Sequence, residues 1–396
     1  MKLTKTVLFF FQAPFFVLIL LFCAGRAEAD DFTNAQFRAH FFRLCDLAAA
    51  KVTNKKDKDP FFQDSYGVRA LCVAYDLTGK TNYLNACRQW SERMIKNQER
   101  MDPPGAYYMN YNRKPGETNG NWFAADSSSI GMALVATSVR CNGAERGRLL
   151  DSAKKFADLV IARYVKPTGG VSDGLWSKSS KEWWCSSGLF GSFAFTLYAN
   201  TGDEKYLNAA MGAANWLSHW DLTKKQPFPL KQQGPAMLMY TMECFSAGWP
   251  YISQDAGAKD SAQAKVQWCL NWMIGQQQAP IRHVWVLSLR APRMLTKPEP
   301  PVKIPMQGPW PLSRWWGMKF GGLPFHEYVF SRYAASKHGE DGHFSDANLQ
   351  AEGDAELEKL SPLVFDKKTP DMTQLPMFMM MSYAERLDPG DIYRNK

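Results

Sequence analysis

Apolar residues recur at three- and four-residue spacing through most of this chain, the period of helices that bury one face. Between residues 186 and 220 the run SSGLFGSFAFTLYANTGDEKYLNAAMGAANWLSHW carries that pattern on both sides of Thr201-Gly202. Its second half, Thr201-Gly-x-x-x-Tyr206-Leu-Asn-Ala209, reappears as Thr78-Gly-x-x-x-Tyr83-Leu-Asn-Ala86. Gly79 and Gly202 can take the positive φ that ends a helix, and the polar residues after them can start the next. Tyr-Leu-x-Ala then lays one large, one medium and one small side chain on a buried face. The pattern predicts a helical hairpin written twice. Weaker copies of the turn stand near Asn142-Gly143, Gly257, Gly339-Glu-Asp-Gly342 and Pro389-Gly390, six in all. The first four are spaced 64, 59 and 55 residues apart, and a proline-rich stretch, Lys297 to Pro311, widens the gap to the fifth. A period of this length holds a helix pair plus a loop, and such repeats bury their apolar faces against one another.

The periodicity predicts twelve helices: 32–53, 64–77, 80–97, 126–141, 145–164, 187–200, 203–219, 236–254, 259–275, 324–338, 345–360 and 373–387. Only His283 to Leu289 and Gly105 to Tyr111 read as extended. Connection lengths alternate. Turns after the even-numbered helices are short, whereas the links before helices four, six, eight and ten are long and rich in Gly, Pro, aromatic and basic residues. If consecutive helices run antiparallel, every even helix points its N-terminus at one face, and the long loops gather there. Long irregular loops in compact domains usually carry function.

Six hairpins whose N-terminal helix is left to close the circle resemble an (α/α)6 barrel of the six-hairpin glycosidase class, an all-α toroid, over most of residues 32–387. The resemblance implies a single catalytic-type domain, 30–396, acting on a glycan without metal or other cofactor. An open superhelix such as a TPR array is the structural competitor, but its strict 34-residue period is missing.

Lys2 and Lys5, the apolar run from Val7 to Phe22 and Ala27-Glu28-Ala29 form the three regions of a secretory signal, so residues 1–29 are expected to be cleaved and the chain to be secreted or periplasmic. Losing Lys2, Lys5, Arg26 and Glu28 takes the net charge from +9 to +7. A basic protein can bind nucleic acid, but an export signal favours an anionic extracellular ligand instead. Seven cysteines remain, most inside helices with no metal-site spacing, and they read as small buried residues, with one or two disulfides open. No later run is apolar and long enough to span a bilayer.

Two acids lie before helices at the long-loop face: Asp64 in Phe61-Phe62-Gln63-Asp64-Ser65 and Asp126 in Trp122-Phe123-Ala124-Ala125-Asp126-Ser127. They read as equivalent hairpin positions. An apolar, aromatic setting can hold one carboxyl protonated near neutrality while a second stays ionised, the arrangement acid/base catalysis needs. The structural alternative is that each is an N-cap. Around them stand aromatic residues whose flat faces suit sugar rings: Tyr107, Tyr108, Trp122, Trp176, Trp183, Trp184 and Trp315. Arg113 heads a set of basic side chains able to receive a uronate or sulfate. Asp173 and Glu182 are reserve acids, and Glu243 and Glu327 lie within helices. The pair of aspartates on successive inner helices is similar to that of unsaturated glucuronyl and rhamnogalacturonyl hydrolases, where one acid protonates the double bond and activates water. Those families often pair acids where Ala125 and Ser127 flank Asp126 here. Two other readings stay open: a polysaccharide lyase using Tyr107, Tyr108, Asn110 and Tyr111, and a glycan-binding protein without catalysis.

Overall fold

A computed structural model describes residues 35–54, 61–108, 122–172, 181–220, 234–274 and 374–387, with isolated positions at 358, 361, 364, 365, 372, 392 and 393. We number the helices α1 (35–53), α2 (Phe61–Thr78), α3 (Thr81–Gln98), α4 (Ala124–Ser138), α5 (Gly143–Arg163), α6 (Trp184–Thr201), α7 (Glu204–His219), α8 (Gly234–Ile252), α9 (Ala256–Ile274) and α10 (Gln374–Leu387). Among the described residues there are no strands, only isolated bridges joining Val165 to Val171 and Ser172 to Glu182. Gly105 to Tyr108, expected to be extended, turns instead on a positive-φ Gly105. Residues 283–289, the helix expected at 324–338, the proline-rich stretch and the signal segment lie outside the described residues.

The even helices form an inner layer. Every residue of α4 is buried, as are the first fourteen of α6, which follows from sequences with no polar face to give to water. The odd helices α3, α5 and α7 bury one face and cover the outside. Neighbouring inner helices run parallel. Ser65 meets Ser129 at 2.6 Å and Arg69 reaches both Ser129 and Met132. Phe123 packs on Trp183 at the start of α4 and α6, and Gly131 faces Phe193 further along. Gly188, Gly191 and Gly248 set the register of α6 on α8 against Tyr240, Cys244 and Phe195. On its other side α2 meets α10, Gly67 facing Met377, and α1 covers α10 through Phe37 and Tyr383, whose rings are 5.2 Å apart. The N-terminal helix thus pairs with the C-terminal one across the ends of the chain.

The repeated motif is the same object twice. Gly79 and Gly202 have φ of 68° and 69°. Thr78 and Thr201 each bond the carbonyl four residues back and accept the amide two residues on. The motif tyrosines latch the outer layer: Tyr83 donates to Asp46 of α1 at 2.7 Å, Tyr206 to Asp158 of α5 at 3.1 Å. The fourth turn differs from expectation, since residues 253–255 make it and Gly257 lies inside α9, where Asp255 caps the helix by accepting from Ala258.

The end opposite the long loops is crossed by the C-terminal segment. Arg69 of α2 donates to the Tyr393 hydroxyl at 3.0 Å, Asn200 of α6 to the Tyr393 carbonyl at 2.7 Å, and Arg140 of α4 to the Ile392 carbonyl at 2.9 Å. Arg140 is itself held by Asp76. Three inner helices are tied together by two consecutive residues.

Candidate active site

The inner helices begin at the long-loop end, so their first turns line its mouth. α4 starts at Ala124 with Phe123 as its N-cap and no side-chain cap bond, which places Asp126 third in the helix, 7% exposed. Asp126 is therefore not an N-cap. Its charge still sits in the first turn, where the helix dipole favours an anion. Asp126 is the one acidic or basic side chain of α4, and α6 has no Asp, Glu, His, Lys or Arg.

Asp64 shares the end of the ring with Asp126 but not its face. The register that pairs Ser65 with Ser129 brings Asp64 level with Ser128, two residues past Asp126, so the two acids are not equivalent positions. Two residues of offset turn a side chain by about 200° around the helix. Asp64 is fully buried, takes a 2.8 Å bond from Lys51 of α1 and lies 3.9 Å from Arg93 of α3. Its carboxylate is directed into the wedge between two outer helices, where it neutralises cations that hold the layers together.

An aromatic arc follows the mouth from α4 to α8. Phe123 lies 6.1 Å from Trp183, Trp183 meets Trp184 edge-on at 5.5 Å, and Trp184 packs on Trp220 and stacks on Tyr240 at 6.4 Å. All five side chains are buried or nearly so. Tyr107 and Trp122 turn the other way. Trp122 stands edge-on to Phe156 and Tyr164, and Tyr107 tilts against Phe156 with its hydroxyl 3.0 Å from Ser152 of α5. Both rings fill the wall between inner and outer layers. Tyr108 is buried beside them. Trp176, Trp315, Arg113, Asn110, Tyr111, Asp173 and Glu327 lie outside the described residues. Glu182 accepts from Thr168 at 2.6 Å beside its bridge to Ser172, a loop tie.

Three residues join the site that the sequence reading had not placed. Tyr240 and Glu243 are one turn apart on α8, and Glu243, 3% exposed, is that helix's one charged residue. Burial first, then the charges of Tyr66, Cys185, Asp126 and Glu243, push the Tyr240 phenol well above its ordinary range, so it stays a neutral donor. Arg69 of α2, 2% exposed, lies over the Tyr66 ring at 4.1 Å. Burial alone would lower its pKa, but Tyr393, Tyr66 and Glu243 outweigh that and raise it. For Glu243 the available signal was a lone charge in an otherwise uncharged helix. Among the described residues no cluster of His, Cys, Asp and Glu is arranged to hold a metal, and no helix is long and apolar enough to cross a membrane. The described cysteines Cys45, Cys72, Cys87, Cys141, Cys185 and Cys244 are buried thiols.

No protein-family model and no curated protein sequence matches the chain. Among solved structures it is similar to a glycoside hydrolase family 76 mannosidase from Bacteroides thetaiotaomicron, with a TM-score of 0.52 and 12% identity over 89% of this chain and 98% of that one. The likeness is one of fold, and the chain is an all-α (α/α)6 toroid.

Proposed function

We propose that this chain is a glycoside hydrolase acting on oligosaccharides, with Asp126 as its acid/base. The observation that carries the reading is one carboxylate in the first turn of a wholly buried helix, at the long-loop end of the toroid and beside an aromatic arc. In that setting the carboxyl can deliver a proton to the departing oxygen of a glycosidic bond, or to the double bond of an unsaturated sugar, and recover one from the water that adds. Trp183, Trp184 and Tyr240 form the aromatic wall on the Asp126 side of the mouth against which a sugar face would pack, and Tyr107 and Trp122 back that wall from the outer layer. Asp64, committed to Lys51 and Arg93, holds the outer helices in place. The solved neighbour is titled a mannosidase. For this chain our finer choice is an unsaturated uronic-acid oligosaccharide, supported by the positive charge of the chain and the likeness of its acid-bearing segments to uronyl hydrolases. The N-terminal signal pattern supports export to the compartment where such fragments arise.

The test incubates purified protein with unsaturated uronides, with manno-oligosaccharides and with intact uronate polymers, following double-bond absorbance and new reducing ends. Loss of the absorbance supports the uronide choice. New reducing ends from manno-oligosaccharides support hydrolysis and overturn that choice, and a gain of absorbance on polymers indicates lyase action. Asp126→Asn is expected to lower kcat by about 10²–10⁴-fold with an unchanged circular dichroism spectrum. Full activity in that variant removes Asp126 from the chemistry.

A further inference from the structure

The first copy of the repeated hairpin carries two cysteines that the second lacks: Cys72 and Cys87 stand where the second copy has Phe195 and Ala210. The shared motif therefore does not itself call for thiols at these places. Cys72 lies on the inner helix α2, seven residues before Gly79, and Cys87 on its outer partner α3, eight residues after it. Near-equal distances on either side of a turn set two residues opposite each other on antiparallel rods. The structure brings their sulfurs to 3.8 Å, and Cys87 Sγ to 3.4 Å from the Val68 carbonyl oxygen, one helical turn before Cys72. Both thiols are wholly buried. Thr137 of α4 and Cys45 of α1 stand beside them. A disulfide needs about 2.05 Å between its sulfurs, so each sulfur has to shift by less than about 1 Å, which a small rotation of each side chain supplies.

We propose that Cys72 and Cys87 close a disulfide that staples α2 to α3 when the chain folds in the presence of a disulfide oxidant. One thiolate of the pair attacks the oxidant's S–S bond and displaces one of its sulfurs as a thiolate, leaving a mixed disulfide. The other cysteine thiolate then attacks the protein sulfur of that mixed bond and expels the oxidant's second sulfur. The protein loses two electrons and two protons and gains one S–S bond, while the oxidant's S–S bond is reduced to two thiols. Neither sulfur meets solvent in the finished ring, so the bond is made while α2 and α3 are paired but not yet covered by α1 and α4. The two cysteines are 15 residues apart, a loop that closes within one hairpin. Once the neighbouring helices pack, the same burial shields the bond from reductants. The crosslink acts by removing freedom from the unfolded chain. The inference is independent of Asp126 and of the hydrolase reading. The export pattern at the N-terminus accords with it, since disulfides form and persist outside the reducing cytosol.

In the test, the full chain is unfolded in urea, refolded with reduced and oxidised glutathione, alkylated at its remaining thiols and cut with trypsin without reduction. Trypsin cuts after Arg69, Lys80 and Arg88, so Cys72 and Cys87 leave on separate peptides, residues 70–80 and 81–88. Only a disulfide holds those two together in the mass spectrum, and the joined pair is the expected product. Alkylated Cys72 and Cys87 in the folded protein, or a bond from either to Cys45, overturns the proposal. Stability is read in parallel. Dithiothreitol is expected to raise the wild-type unfolding equilibrium constant on the order of 10²-fold. It is expected to leave Cys87→Ala, which restores the residue of the second copy, unmoved. A reductant effect of the same size in both proteins overturns the staple, as does no effect in the wild type. If the chain does not refold, the peptide map is made on protein exported to the periplasm of a bacterial host and alkylated before lysis, and the same products uphold or overturn the proposal.

Discussion

Lys80 and Asp203 occupy the same place in the two copies of the repeated turn, with φ and ψ of −70° and 109° against −83° and 109°. Asp203 accepts from the Lys205 amide, whereas Lys80 makes no side-chain cap bond. The backbone is already shaped for a cap that the first copy lacks. Lys80→Asp is therefore expected to stabilise the protein by about 0.5–1 kcal/mol, read as a raised midpoint in urea. The tyrosine latches work in the opposite direction: Tyr83→Phe keeps the ring and deletes the bond to Asp46, with an expected cost of about 1–2 kcal/mol in the same measurement. Turn chemistry of this kind was legible in the sequence, because Thr, Gly and Tyr at fixed offsets act within a few residues of themselves. Which way Asp64 and Asp126 point was not legible. A carboxylate's partner is decided by the register of one helix on another, and Lys51 and Arg93 come from elements on either side of Asp64 in the chain.

Helices with no charged residue, or with one, were the informative elements. α4, α6 and α8 announce by composition that no face meets water, and this made the two-layer arrangement readable from periodicity and loop length. What composition does not give is how close two such helices come. Gly188 is the sharpest instance: a Cβ built there lies 2.8 Å from the backbone of Tyr240, too near for any real side chain. Gly188→Ala must push α8 outward and unseat Tyr240 from Trp184. We expect a loss of about 1–3 kcal/mol in stability and lower activity than the stability change explains, measured by chemical unfolding and by the glycan assay together. Gly131, where the obstacle is the Phe193 ring, meets a side chain rather than a helix backbone, and a ring can shift within its packing more readily than a whole helix, so Gly131→Ala is expected to cost less than Gly188→Ala in the same unfolding experiment.

Buried tyrosines around the ring are held neutral. Burial first, and then Asp158, push Tyr206 up to about 12, and burial leads the upward shift of Tyr83, Tyr107, Tyr240 and Tyr383 as well. An unfolded tyrosine ionises near 10. A folded value above the unfolded one means that stability is fully present below pH about 10 and is lost as pH rises through the folded values. Alkaline unfolding should therefore be cooperative, with phenolate absorbance and near-ultraviolet dichroism changing together; phenolate appearing well before the dichroism collapses would contradict the burial of these rings. Closure of the toroid was foreseeable, since six turns and a spare first helix leave few alternatives. The tie made by Ile392 and Tyr393 was not, because nothing in an Ile-Tyr dipeptide names Arg69, Arg140 and Asn200 as its partners.

That tie has a consequence for biogenesis. The ribosome makes α2, α4 and α6 early, yet the residues that bolt their far ends together emerge about two hundred positions after Asn200. A nascent chain carries its first hairpins without this brace until residues 392 and 393 have emerged, so the bracing waits on that segment rather than proceeding hairpin by hairpin. A nonsense codon just after Leu387 would release a product that keeps α1 to α10 and lacks the residues that fasten α2, α4 and α6, an easy substrate for quality-control proteases.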